Sequence, residues 1–212
     1  MSKYKIEDIN NNMIFTAETK TFKDCVELAV KKGINLERAD FRCVNLKGAN
    51  LREANLERAN LYGAELQKAN LIGVNFERAY LVNAELEGAN LRKANLARSN
   101  IHSTNLARAN LKNTNLEEVC LYEANLEEAY FAMSNLYRAD LRRANLRGAN
   151  LYEANLESVN FGNADLRGVN LFGANLKGAN FIDANLRGSK IIKASLEEAT
   201  YTGADLTGVI FR

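Results

Sequence analysis

The sequence predicts an all-β solenoid: a four-sided parallel β-helix, closed at its N-terminal end by a hairpin and a helix. From Leu36 to Phe211 every fifth residue is Leu, Ile, Phe or Tyr, and no insertion breaks the phase. Two residues before each of these stands a small side chain, mostly Ala, and between the two stands mostly Asn or Asp, as in Ala49-Asn50-Leu51. Longer echoes recur at a spacing of 20: Leu-Glu-Arg-Ala begins at Leu36 and Leu56, and Leu-Arg-Gly begins at Leu146, Leu166 and Leu186. A period of five fits neither a helix at 3.6 nor a strand at two, so the unit is a repeated turn, and four units make one coil.

Within the unit, Ala-Asn-Leu-x-x, we number Ala first and Leu third. Strand alternation points the first and third side chains inward and leaves a corner at the fourth and fifth. Eleven of the thirteen glycines occupy the fifth position, where a type II turn needs a positive φ. Units with Arg, Glu or Lys there are expected to turn differently. Thirty-six units from Leu36 to Phe211 give nine coils, and at roughly 4.8 Å per coil a rod on the order of 43 Å long. All third-position residues are expected to be buried.

Residues 1–33 stand apart from the array at 34–212. Tyr4–Asp8 and Met13–Glu18 are β-like runs around Asn10-Asn11-Asn12, which predicts a hairpin. A helix is expected over 21–32, with Thr21 and Asp24 as a capping box and Gly33 at the exit. Its apolar residues Phe22, Cys25, Val26, Ala29 and Val30 share one face. That face predicts a cap over the first coil, whose edge would otherwise be an aggregation hazard.

Runs such as Ala49-Asn50-Leu51, Ala149-Asn150-Leu151 and Ala174-Asn175-Leu176 resemble the pentapeptide-repeat family from about residue 34 onward. The resemblance implies a right-handed, four-sided parallel β-helix. It leaves the biochemistry open, since the family includes DNA-mimicking proteins that protect DNA gyrase from quinolones alongside many members of unknown role.

Composition narrows the function classes. Lys and Arg total 28 against 26 acids, a formal charge of +2, so there is no bulk drive toward nucleic acid, and no nucleic-acid partner is expected. No run is long and apolar enough to span a bilayer, and the opening residues lack a signal-peptide core, so the reading is cytoplasmic, with no membrane partner. Cys25, Cys43 and Cys120 are odd in number and scattered, which predicts reduced thiols in the helix and on turns. One histidine, His102, no phosphate loop and no cleft leave little for catalysis: no enzyme, no catalytic residue, no metal and no cofactor are expected.

The second-position Asn column is read as a structural ladder, bonded to nearby backbone and between coils. Tyr80, Cys120, Tyr130, Lys190 and Ile210 replace the amide, and altered corners are expected around them. The 20-residue register predicts ion pairs of Glu118 with Arg138, Glu123 with Arg143, Glu127 with Arg147 and Arg98 with Glu118. It also sets the acidic column Glu37, Glu57, Glu77, Glu117, Glu157 and Glu197 beside Arg38, Arg58, Arg78, Arg98 and Arg138. Opposite charges so close cancel within a Debye length of about 8 Å, which disfavours DNA mimicry.

What remains outside the pattern is apolar. The fourth position stacks Tyr62, Val82, His102 and Tyr122 on one face and Ala132, Tyr152, Phe172 and Ile192 on the opposite one. The sequence therefore reads as a non-catalytic rod that presents a surface to a macromolecule. Tyr130, Tyr152, Phe172, Ile192, Ile210 and Phe211 are the candidate protein-interaction residues. The protein partner is not specified. With no capping segment after Phe211, a homodimer through the C-terminal coils is also expected.

Overall fold

The computed structural model describes residues 1–211. Strands β1 (Ser2–Glu7) and β2 (Met13–Thr19) form an antiparallel hairpin, followed by helix α1 (Phe22–Lys31). The Thr21 side chain accepts from the Asp24 amide, and the Asp24 carboxylate accepts from the Thr21 amide, completing the expected capping box.

From Asp40 to Ile210 the second-position residues pair in parallel bridges offset by 20 residues, as in Asn50 with Asn70 and Asn70 with Asn90. The backbone is almost wholly spent within the stack. Around Leu106, the Leu106 N–H donates to the Asn125 carbonyl of the next coil (2.7 Å) and the Arg108 N–H to the Glu127 carbonyl (2.8 Å). The Ala109 N–H turns back to the Leu106 carbonyl (3.0 Å), closing the corner. Of the two remaining donors, the second residue's reaches the preceding coil, as Asn105 N–H to the Ala84 carbonyl (3.1 Å), and the fourth residue's is met by the amide ladder, as where the Arg147 N–H donates to Asn145 Oδ1 (3.1 Å). The same Asn145 donates through Nδ2 to Asn125 Oδ1 of the coil before (3.2 Å). Asparagine recurs because it is short enough to accept from the backbone two residues on while still reaching its neighbour along the rod.

Three expectations are corrected. Every fifth-position residue from Arg38 to Gly208 has a positive φ, between 50° at Glu153 and 73° at Gly203, so Arg, Glu and Lys corners do not turn differently. A left-handed residue costs about 1–2 kcal/mol unless it is Gly, but the coil's hydrogen bonds on both sides impose the conformation. Nor do corners change where the amide is replaced: the bridges run on through Tyr80, Cys120, Tyr130 and Lys190 to Ile210, and φ stays near 55–58° at Asn83, Glu123, Met133 and Lys193. What those coils lose is the side-chain acceptor, and at the Lys190 unit also the turn bond from Ala194 N–H to the Ile191 carbonyl. Third-position residues are buried from Leu36 through Ile191, but Leu196 and Tyr201 are half-buried, and Leu206 and Phe211 are 38% and 51% exposed. No described coil follows to cover them.

The core is the inward Leu column with Ala beside it, and it includes a stack of Phe161, Phe181 and Tyr201 at 5.1 Å between successive ring centroids. Where Ser99, Thr104, Thr114 and Ser134 replace inward Ala, the hydroxyl finds a carbonyl, as in Thr104 Oγ1 to Leu81 O (2.9 Å) and Ser134 Oγ to Phe131 O (2.6 Å), whereas the buried Ser189 hydroxyl finds none among the described residues. At the N-terminal end the cap stands in for a missing coil. Cys25, Val26 and Ala29 are buried, and Phe22 packs edge-on against Phe41 at 6.1 Å. The Asn50 N–H, which elsewhere would meet a preceding coil's carbonyl, donates to Glu27 Oε1 (2.8 Å), and Lys23 Nζ donates to the Lys47 carbonyl (3.4 Å). The hairpin contributes an edge as well, pairing Asp8 antiparallel with Ala39.

Candidate interaction surface

Because the rod is solid, function has to be sought on its outward columns. The charged columns largely satisfy themselves. Arg98 meets Glu118 (3.0 Å) and Arg143 meets Glu123 (3.4 Å), as the register predicts. The pairs expected between Glu118 and Arg138 and between Glu127 and Arg147 are absent among the described residues. Arg138 instead lies over the Tyr137 ring, 4.9 Å from its centroid.

A second device appears where the ladder residue is Asp followed two residues later by Arg. Asp40–Arg42, Asp140–Arg142 and Asp165–Arg167 are close ion pairs within one unit. In each, hydrogen bonding from the guanidinium holds the carboxyl below its ordinary range, against the opposing effect of burial. On the acidic column, Arg58 lies 3.7 Å from both Glu37 and Glu57, and Arg78 lies 3.9 Å from Glu77. Arg108 bridges Glu87 (3.5 Å) and Glu128 (3.0 Å).

His102 sits on a shallow groove with Cys120, Tyr122, Asp140 and Arg142. Its Nδ1 lies 2.9 Å from Ser103 Oγ. The nearby carboxylate, Asp140, is engaged by Arg142, and the hollow is open to solvent, so nothing orients a proton shuttle there. No group of His, Cys, Asp and Glu among the described residues has the geometry to hold a metal ion. No described helix is long and apolar enough to cross a membrane. Cys25 is buried in α1 and Cys43 lies at a corner, while Cys120 occupies a ladder position rather than a turn.

The apolar ladder is the outward feature that the charge pattern does not absorb. Tyr152 and Phe172 stack with ring centroids 5.5 Å apart and planes 6° from parallel, so their edges stand outward. The neighbouring Glu153 carboxylate raises the Tyr152 phenol above its ordinary range. Lys193 Nζ lies 5.4 Å from the Phe172 centroid. Ile192 continues the column half-buried, and Ala132 lies buried at its other end. Tyr130 and Ile210 flank it from the ladder position of the same face, 37% and 45% exposed. Phe211 is not on this face; it belongs to the inward column, where the described coils stop.

The structure adds Met133, 48% exposed at a corner of the same face. It is the one large apolar residue in the fifth position, and that oddity was the available signal. On another face Tyr62 and Tyr80 stack at 6.3 Å and are 40% and 42% exposed.

The outward amide ladder, the left-handed fifth position and the 20-residue coil together agree with a single repeat family. A family model described as Pentapeptide repeats matches in eight copies, at residues 32–58, 39–78, 59–96, 94–132, 134–171 and 174–212. The chain belongs to the pentapeptide repeat family. Among solved structures, it is similar to HetL, a pentapeptide repeat protein involved in heterocyst differentiation regulation from the cyanobacterium Nostoc sp. strain PCC 7120. That match has 34% identity and a TM-score of 0.70, over 81% of this chain and 76% of HetL. A trypsin-treated form of QnrB1, a plasmid-mediated fluoroquinolone resistance protein, matches at 20% identity and a TM-score of 0.51. It covers 81% of this chain and 85% of QnrB1, which speaks for the shared fold alone. No significant match is found among curated proteins. The pentapeptide repeat assignment makes the coil a right-handed quadrilateral β-helix.

Proposed function

We propose that this pentapeptide repeat protein is a non-catalytic, cytoplasmic rod of nine coils that binds a macromolecular partner through the apolar ladder of Tyr130, Tyr152, Phe172, Ile192 and Ile210. The observation that carries the reading is contrast. Several arginines and carboxylates elsewhere, such as Arg98 with Glu118, Arg108 with Glu128 and Arg143 with Glu123, are tied into ion pairs along the rod. The ladder face instead leaves aromatic edges and aliphatic tips in water with Glu153 as the single charge between Lys112 and Lys190. A contiguous apolar strip rimmed by charge is the expected signature of a contact surface on a rigid scaffold.

Capture from the host with the wild-type protein, Phe172→Glu with Ile192→Glu, and Tyr62→Glu as a control for the other apolar face tests this. The ladder variant loses a binding partner that the control keeps. Identical capture by all three refutes the reading.

The second reading, DNA mimicry toward gyrase, draws on the fold shared with QnrB1. The Glu37–Glu57–Glu77 column speaks against it, because Arg58 and Arg78 neutralise that column. Inhibition of gyrase supercoiling by the purified protein would reverse this preference.

A further inference from the structure

The ladder face carries its own complement. Phe172 and Gly173 lie at its middle; one coil before them stand Tyr152 and Glu153, and one coil after them Ile192 and Lys193. Glu153 and Lys193 therefore occupy the same corner column on either side of Gly173, where the Glu153 side chain leans over the glycine and Lys193 Nζ lies over the Phe172 ring. Neither charged group is in an ion pair among the described residues.

Resting on the ladder as contact surface, we propose that its occupant is a second copy of this chain. The two rods pack antiparallel, face to face, about a twofold axis that crosses the face at the level of Phe172. The register follows from symmetry. A twofold lying in the contact plane and perpendicular to the rods keeps each column opposite itself and reverses its direction. With Phe172 on the axis, Tyr152 meets the second copy's Ile192, Tyr130 meets its Ile210, and Glu153 meets its Lys193, each twice.

The alternatives fail on charge. Moving the axis to the level of Tyr152 sets Glu153 against its own copy, and moving it to Ile192 sets Lys193 and Lys190 against theirs. An axis midway between the Tyr152 and Phe172 levels drives Lys190 onto Tyr130 and Lys193 onto Met133, with no carboxylate in reach. One midway between the Phe172 and Ile192 levels leaves Lys193 against Gly173. Parallel packing about a twofold sets each charged level, that of Glu153 and that of Lys190 and Lys193, against its own copy. Like-charge contacts and unpaired buried lysines are what discriminate between registers at an interface. Of these registers the Phe172-centred one pairs Glu153 with a lysine, and it sets Lys190 opposite the polar Asn150 side chain of the second copy.

The strip from Tyr130 to Ile210 spans four coil spacings, about 19 Å. That places it among small interfaces, with micromolar rather than nanomolar self-association.

Sedimentation equilibrium of the full chain from low micromolar to several hundred micromolar tests the inference. We expect a monomer of 23.6 kDa to give way to a dimer of twice that mass. Glu153→Lys and Lys193→Glu should each weaken dimerisation about tenfold or more. The two together, which restore the pair with its sign reversed, should return it to within about threefold of wild type. Circular dichroism melting of each variant separates loss of association from loss of fold, and the double variant is a rescue that misfolding would not produce. A wild-type monomer at every concentration overturns the proposal, as does a dimer indifferent to both single changes or one the double change does not restore. A wild-type monomer whose ladder variant still loses a host partner would overturn the self-pairing while leaving the ladder as the contact surface.

Discussion

Alanine at Leu106 and alanine at Leu206 remove the same atoms from the same inward column at two depths. Leu106 is 1% exposed and lies between Leu86 and Leu126, both fully buried, whereas Leu206 is 38% exposed at the last described coil. Truncating Leu to Ala removes about three carbons at about 0.8 kcal/mol each, so the transfer loss is about 2.4 kcal/mol at full burial. At Leu106 a cavity contribution adds to this, because neighbours locked in hydrogen-bonded coils relax little, and the expected cost lies in the range of about 2–5 kcal/mol. At Leu206 the transfer loss scales with the buried fraction to about 1.5 kcal/mol, and solvent fills the space. Denaturant titration followed by far-ultraviolet circular dichroism compares the two variants with wild type. Equal costs at the two sites, or a negligible cost at Leu106, would refute an inward leucine column that is sealed mid-rod and open at the described end.

Thr21→Ala removes the cap of α1 and should lower stability by about 1 kcal/mol, while Glu27→Gln keeps an acceptor for the Asn50 N–H and should cost less than Glu27→Ala in the same titration. Asn145→Ala removes the acceptor of the solvent-exposed Arg147 N–H and breaks the amide ladder at Asn125, with an expected cost of about 0.5–1.5 kcal/mol; a neutral result would remove the amide ladder from the account of the corners. The Asp165 carboxyl titrates below its unfolded value because of Arg167, so its contribution to stability is full above the unfolded pKa and is lost as pH falls through the lower folded one. The stability difference between wild type and Asp165→Asn should therefore be constant near neutrality and shrink as pH drops below about 4; a difference that grows with acid contradicts the assignment.

Much of the fold was legible because it rests on side chains that only one arrangement suits. The phase of Leu and Ala, the glycines at corners, and the Thr21–Asp24 box with an apolar helical face each specify a local geometry. Residues such as Arg138 and Glu118 in a left-handed conformation were not legible, because local preference argues against them. What favours the backbone there is the bond from the fifth-position amide to the next coil, made from Arg38 through Gly188, a tertiary constraint. The ion pairs show the same division. Register predicts which columns adjoin, but Arg142 has a nearer carboxylate within its own unit, and Arg138 takes an aromatic face instead. Of the candidate surface, the column of Tyr152, Phe172 and Ile192 follows from the 20-residue register alone. Met133 joins it only because its corner points out on that face, and Phe211 leaves it because its position in the unit points inward.

The central claim, that the rod meets its partner through the ladder and through no other face, is tested most directly by hydroxyl-radical footprinting of the free and bound protein read by mass spectrometry. Tyr130, Met133 and Phe172 should lose labelling on binding while Tyr62 and Tyr80, equally exposed on another face, keep theirs. Protection of Tyr62 and Tyr80 with the ladder unchanged would contradict it.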